Sequence, residues 1–127
     1  MPNRNPNPNP NPKPAPRAGL DGFDAYRVAR DFFRLVLRAT AHLPRSRGLE
    51  QFLDAAEAVM RNVAEAHAVM GADRARRARI AAAEASECKA ALDALEIRSL
   101  LGEPVLADLR GLADREMAML WRVGRAR

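Results

Sequence analysis

The sequence predicts an all-α protein: an up-down-up-down antiparallel four-helix bundle preceded by a disordered Pro/Asn-rich tail. Three observations lead there. Apolar residues recur at spacings of three and four in four consecutive stretches, short Gly- or Pro-containing segments separate them, and aromatics make up only 5% of a chain rich in alanine. Closely approaching helices suit that composition better than a β-sandwich. With 127 residues the chain holds one small domain. Residues 1–21 read as the tail and residues 22–127 as the bundle.

The tail carries seven of the nine prolines, in MPNRNPNPNPNPKPAP. Alternating Asn and Pro deny the backbone helical geometry and regular amide donors, so a polyproline-II-like spacer is expected. After Gly19 and Gly22 the pattern changes. Tyr26, Ala29, Phe33, Val36, Thr40 and Leu43 mark one helical face, widened by Phe32 and Leu37, while Arg27, Asp31, Arg34 and Arg38 line the other. The first helix is expected from about Phe23 to Leu43, where Pro44 stops it.

The second helix is expected from Leu49 to Met70, with Phe52, Ala56, Val59, Val63 and Met70 as its stripe and Leu53, Met60 and His67 beside it. Gly71 closes it, and Asp73 is placed to cap the third helix, which runs to Leu101 before Gly102. Ala78, Ala81, Ala85, Cys88, Leu92 and Leu95 form the inner seam of that helix, its small half allowing close approach and its leucines anchoring a neighbour. Glu103-Pro104 opens the fourth helix, whose stripe is Leu106, Leu109, Leu112, Ala113, Met117 and Leu120. Asp108, Arg115 and Arg122 lie on its wet side, and the terminal GRAR is expected to fray.

The formal charge is +5, and three of the basic residues (Arg4, Lys13 and Arg17) belong to the tail. The remaining eighteen basic residues against sixteen acidic ones leave only about +2 on the bundle. Clustering therefore matters more than the total. Arg74, Arg76, Arg77 and Arg79 crowd the first two turns of the third helix, where cations oppose the positive end of the helix dipole. An anionic partner offsets that cost, and these four arginines are the expected nucleic-acid-binding residues for RNA or DNA. The alternative is that they only solubilise a protein-interaction scaffold.

Other chemistry finds little support. His42 and His67 lack the companion spacings of a metal site, and a lone Cys88 excludes an intramolecular disulfide. Glu87 and Cys88 are adjacent in a helix and point about 100° apart, so they do not form a thiol and base pair. No phosphate loop or nucleophile elbow is present. A non-enzymatic protein is expected, without catalytic residues, metal or cofactor. Prolines occupy the place of a signal peptide's apolar region, and no stretch reaches the roughly 20 apolar residues of a membrane span, so a cytoplasmic protein without a membrane partner is expected.

Two runs carry a resemblance. NVAEA at Asn62 to Ala66 is similar to an Asn-Ile-Ala-Glu-Gly motif, and IAAAEASECKAALDAL at Ile80 to Leu95 is similar to an Ile-Ala-x-Gly-Ser-x-x-Glu-Cys-x-x-x-Leu-Asp run. From about Phe23 to Arg125 the chain thus resembles the bacterial four-helix bundle proteins encoded by intervening sequences in large-subunit ribosomal RNA genes. Ala66, Ala83 and Glu84 replace small motif residues, and Arg74 and Arg77 stand where that family often carries aromatics. The resemblance implies a homopentamer without enzymatic chemistry. A related branch, the accessory variability determinant of diversity-generating retroelements, implies nucleic-acid binding and association with a reverse transcriptase. Phe32, Leu37, Ile80 and Ile97 lie off the main seams and independently suggest a surface that needs a partner.

Overall fold

Phe23 is the last extended residue before the first helix, and its carbonyl accepts from the amides of Tyr26 and Arg27 at 2.9 and 3.1 Å. The computed structural model describes residues 23–125. The expected tail, residues 1–21, lies outside the described residues, as do the last two residues of the terminal GRAR. Four helices follow in order: α1 (Asp24–Thr40), α2 (Arg47–Ala68), α3 (Gly71–Ile97) and α4 (Val105–Arg125). Each of α1 and α3 packs against both α2 and α4, which closes a four-helix bundle.

Contacts between helices give their directions. The Phe23 ring at the start of α1 lies 5.2 Å from the His67 ring at the end of α2. Arg77, early in α3, reaches Glu65, late in α2, at 2.8 Å. Between α3 and α4, Arg79 bonds the Gly124 carbonyl, Lys89 pairs with Asp114, and Arg110 pairs with Asp93. Rising numbers on α3 thus meet falling numbers on α4. Consecutive helices run antiparallel, as their short connections require.

Local signals set the boundaries. Ser46 caps α2, its Oγ accepting from the Leu49 amide at 3.1 Å, so that helix begins at Arg47, earlier than the apolar pattern suggests. Asp73 does not cap α3: Met70 occupies the capping position without a side-chain bond, Gly71 begins the helix at φ +61°, and Asp73 lies in the first turn. The C-terminus of α3 also comes early. Ser99 adopts φ 58°, its amide bonds the Glu96 carbonyl and the Leu100 amide bonds the Leu95 carbonyl, both at 2.9 Å. This left-handed turn ends the helix at Ile97 before Gly102 is reached, with serine where glycine is usual.

The core follows the heptad-like seams. All six residues expected on the inner seam of α3 are buried, as are Phe52, Ala56, Val59 and Val63 of α2 and Leu106, Leu109, Ala113 and Leu120 of α4. Burying a Leu, Val or Phe side chain contributes about 1.5 to 3 kcal/mol each. Two assignments change. Phe32 is 3% exposed and belongs to the core instead of a flank, because Ala25, Val28 and Ala29 turn that side of α1 inward. Met70 is 81% exposed, since α2 ends at Ala68 and leaves it beyond the stripe.

Candidate functional site

The four arginines at the start of α3 have different surroundings. Arg74 folds back over the C-terminus of α2: its Nε donates to the carbonyls of Ala66 and Val69 at 3.0 and 2.9 Å, and its Nη2 donates to the His67 carbonyl at 3.1 Å. Carbonyls at the end of a helix run short of backbone donors, and of these three only Ala66 also accepts from a local amide, that of Val69 at 3.4 Å, so one guanidinium caps the negative end of α2. Arg79 does the same for α4, with Nη1 2.9 Å from the Gly124 carbonyl. Its side chain passes so close that a Cβ built on Gly124 would stand 2.9 Å from Arg79 Cγ.

Arg77 places Nη1 2.8 Å from Glu65 Oε1, while its buried Nε has no hydrogen-bond partner in the described residues. Arg76 is exposed and pairs with no acid or carbonyl among the described residues. Antiparallel packing thus explains the cluster locally. The N-terminus of α3 lies beside the C-termini of α2 and α4, and their carbonyls supply the negative partial charge that the sequence pattern demanded from an outside partner. Of the four, Arg76 is the one left facing solvent without such a partner.

A second basic surface was not singled out from the sequence. Arg27, Arg30, Arg34 and Arg115 line a groove of about 310 Å³ between α1 and α4, together with Asp24, Asp31 and Val28. Asp24 holds Arg27 at 2.8 Å, and Asp31 lies 3.6 Å from Arg34. The Arg30 guanidinium stands 6.0 Å from the Tyr26 ring centroid. Helical spacing already placed Arg27 and Arg34 on the wet face of α1, but Arg115 joins them only through the packing of α4.

The outer side of α3 carries the largest departure from an ordinary amphipathic helix. Ile80, Ala83, Glu87, Ala90, Ala94 and Ile97 are all exposed and recur at spacings of three, four, three, four and three. They form a second seam, two residues out of phase with the buried one and therefore on roughly the opposite face. Ile97 is 82% exposed. Shallow depressions border the seam on both sides. One is shared with Phe52 and Ala55 of α2, and the other with Met117 and Trp121 of α4, where Trp121 is 47% exposed.

Two titratable groups lie inside the bundle. Cys88 is fully buried, and burial pushes its thiol up to about 12, with Glu84 and Glu87 adding in the same direction. A thiol held so firmly protonated is inert as a nucleophile. Glu116 occupies a core position between Ala113 and Leu120, is 2% exposed, and neither carboxyl oxygen has a hydrogen-bond partner. Burial pushes its carboxyl up to about 8 despite the favourable charge of Arg115. Its position was legible in the run 106, 109, 113, 116, 120, but its charge hid it among the surface residues.

His42 is exposed and His67 stacks on Phe23. No three His, Cys, Asp or Glu side chains converge as a metal site among the described residues. No helix among the described residues is long and apolar enough to cross a membrane. Compared against known protein families, curated proteins and solved structures, the chain gives no match.

Proposed function

We propose that this protein is a non-enzymatic interaction bundle whose primary property is self-association through the outer face of α3. One observation carries this reading: the exposed seam from Ile80 to Ile97 has coiled-coil spacing and a single charged member, Glu87. A helix serving only to cover a core places polar residues on its outer face, whereas α3 is apolar on two opposite sides. Alanines there let another helix approach closely, and the isoleucines supply apolar area at both ends. The resemblance to ribosomal intervening-sequence proteins favours an oligomer too, in the form of a ring of five. Ala90→Arg tests the reading, because Ala90 is exposed and its replacement leaves the core untouched. The variant should keep wild-type helicity and elute as a smaller species. Identical elution of variant and wild type would remove this face from any assembly.

The groove between α1 and α4 favours a second reading, low-selectivity binding of RNA or DNA. Its four arginines exceed its two aspartates, and guanidinium forks match phosphate oxygens. Repetition of such a groove in an oligomer multiplies the apparent affinity for a long polyanion. Binding should fall steeply with salt, and Arg30→Gln with Arg115→Gln should weaken it more than Arg76→Gln does. Failure of the wild-type protein to retard either nucleic acid at low salt would leave the interaction bundle alone.

A further inference from the structure

Glu116 is the one buried residue whose charged group is left wholly without a hydrogen bond among the described residues. Its neighbours along α4 fix the side of the core to which it belongs. Asp114 and Met117 face α3, through the ion pair with Lys89 and the depression shared with Ala82 and Ala83, while Arg115 lines the groove shared with α1. At about 100° per residue, Glu116 lies about 160° round the helix from Asp114 and about 100° from Met117, on the α1 side of the core. Its carboxyl is therefore buried on the side where Arg27, Arg30, Arg34 and Arg115 line the surface.

An ionised carboxyl without a partner is among the costliest groups an apolar interior can hold. The buried residues of α1, α2 and α3 are apolar apart from Thr40 and the thiol of Cys88, which stays protonated, so none of them neutralises the charge. The charged groups bordering Glu116 are those of the groove: Asp24, Arg27, Arg30, Asp31 and Arg34 from α1, and Arg115 from α4. Arg115 is the cation that already acts on the buried carboxyl. We infer that Glu116, on releasing its proton to solvent, swings from the core into the arginine groove and closes that groove to outside anions. The inference rests on the nucleic-acid reading of the groove and supplies its regulation.

The groove has room in charge for a third carboxylate. Asp24 bonds Arg27 at 2.8 Å, whereas Asp31 stands 3.6 Å from Arg34 and Arg115 pairs with no surface acid among the described residues. The two aspartates repel an incoming carboxylate, and the four guanidiniums outweigh them. The path outward is short. Leu112 and Met119, four residues before Glu116 and three after it, are only half-buried, and the unbranched Met119 side chain changes rotamer without displacing the helix. Burial pushes the Glu116 carboxyl up to about 8, so the groove is open at neutral pH and closes above that value.

Two measurements on the full chain test this. Carbon-detected NMR follows the Glu116 carboxyl carbon from about pH 6 to about pH 9, with and without a soluble paramagnetic agent. The carboxyl should titrate near pH 8 and be relaxed by the agent only above that point. A carboxyl that ionises yet stays shielded, or one already ionised and accessible at about pH 6, would overturn the inference. The second measurement is binding of a rhodamine-labelled single-stranded DNA at constant salt, with helicity checked by circular dichroism at each pH. Wild-type affinity should fall about fivefold between about pH 6.5 and about pH 9, and that of Glu116→Gln less than about twofold, because neither the phosphates nor the arginines titrate there. An equal fall in both proteins would overturn the closing of the groove. DNA that binds at no pH, with a carboxyl that becomes accessible on ionising, would remove the nucleic-acid reading and leave the movement of Glu116 standing. The NMR titration needs no variant, so it decides even where Glu116→Gln loses helicity.

Discussion

Glu116 shows how one residue sets a pH dependence for the whole bundle. Its ordinary value is 4.5 and its folded value is about 8. Below 4.5 both folded and unfolded chains hold the proton, so the group is neutral to stability. Between 4.5 and 8 the unfolded chain releases the proton and the folded chain keeps it, which lowers stability by about 1.4 kcal/mol per pH unit. Above 8 the folded form ionises too and the loss levels off. Glu116→Gln cannot titrate, and its melting temperature relative to wild type should rise steadily across pH 5 to 8. A constant difference over that range would show that the native carboxyl is ionised throughout. Ser99 offers a second residue-scale test. Its left-handed backbone is costly for any residue with a Cβ, so Ser99→Gly should stabilise the protein by about 0.5 to 1 kcal/mol in a denaturant titration.

At the scale of the element, the helix starts and stops divide into those that side-chain chemistry announced and those it did not. The apolar periodicity of α3 located its whole inner seam, and Leu92, expected there, is fully buried. The ends were less legible. Ser46 caps α2 through its hydroxyl, whereas α3 starts at Gly71 without a capping side chain and stops at a serine in a glycine conformation. The arginine cluster was equally visible as a pattern and equally dependent on packing for its meaning. Arg74 reaches carbonyls five to eight residues back, at the end of α2, and Arg79 one in α4 that is forty-five residues on, so no reading of α3 alone locates them. Arg74→Ala should cost about 1.5 to 3 kcal/mol in chemical denaturation, because it strips three charge-assisted bonds from the end of α2. Arg76→Ala should change stability by less than about 0.5 kcal/mol. Equal effects of the two variants would contradict the capping role. For the same reason, replacing all four arginines by glutamine tests stability together with nucleic-acid binding and cannot isolate the latter.

At the scale of the molecule, four stripes predict four helices and a bundle, but only the assembled bundle shows what remains uncovered. Leu37, Ile80 and Ile97 were marked in the sequence as needing a partner and are exposed, whereas Phe32 is satisfied inside. The alternation of Ile80, Ala83, Glu87, Ala90, Ala94 and Ile97 was present in the sequence as well, yet the buried seam two residues away masks it until the neighbours of α3 are placed. The groove of Arg27, Arg30, Arg34 and Arg115 likewise arises from two distant segments. Both surfaces belong to the outside of the bundle, and the apolar one is the feature that a solitary domain has least reason to keep. Sedimentation equilibrium of the full-length chain across the micromolar range measures this most directly. The account predicts a mass that is a whole multiple of 14.0 kDa, two chains or more; a mass that stays at 14.0 kDa throughout would contradict it.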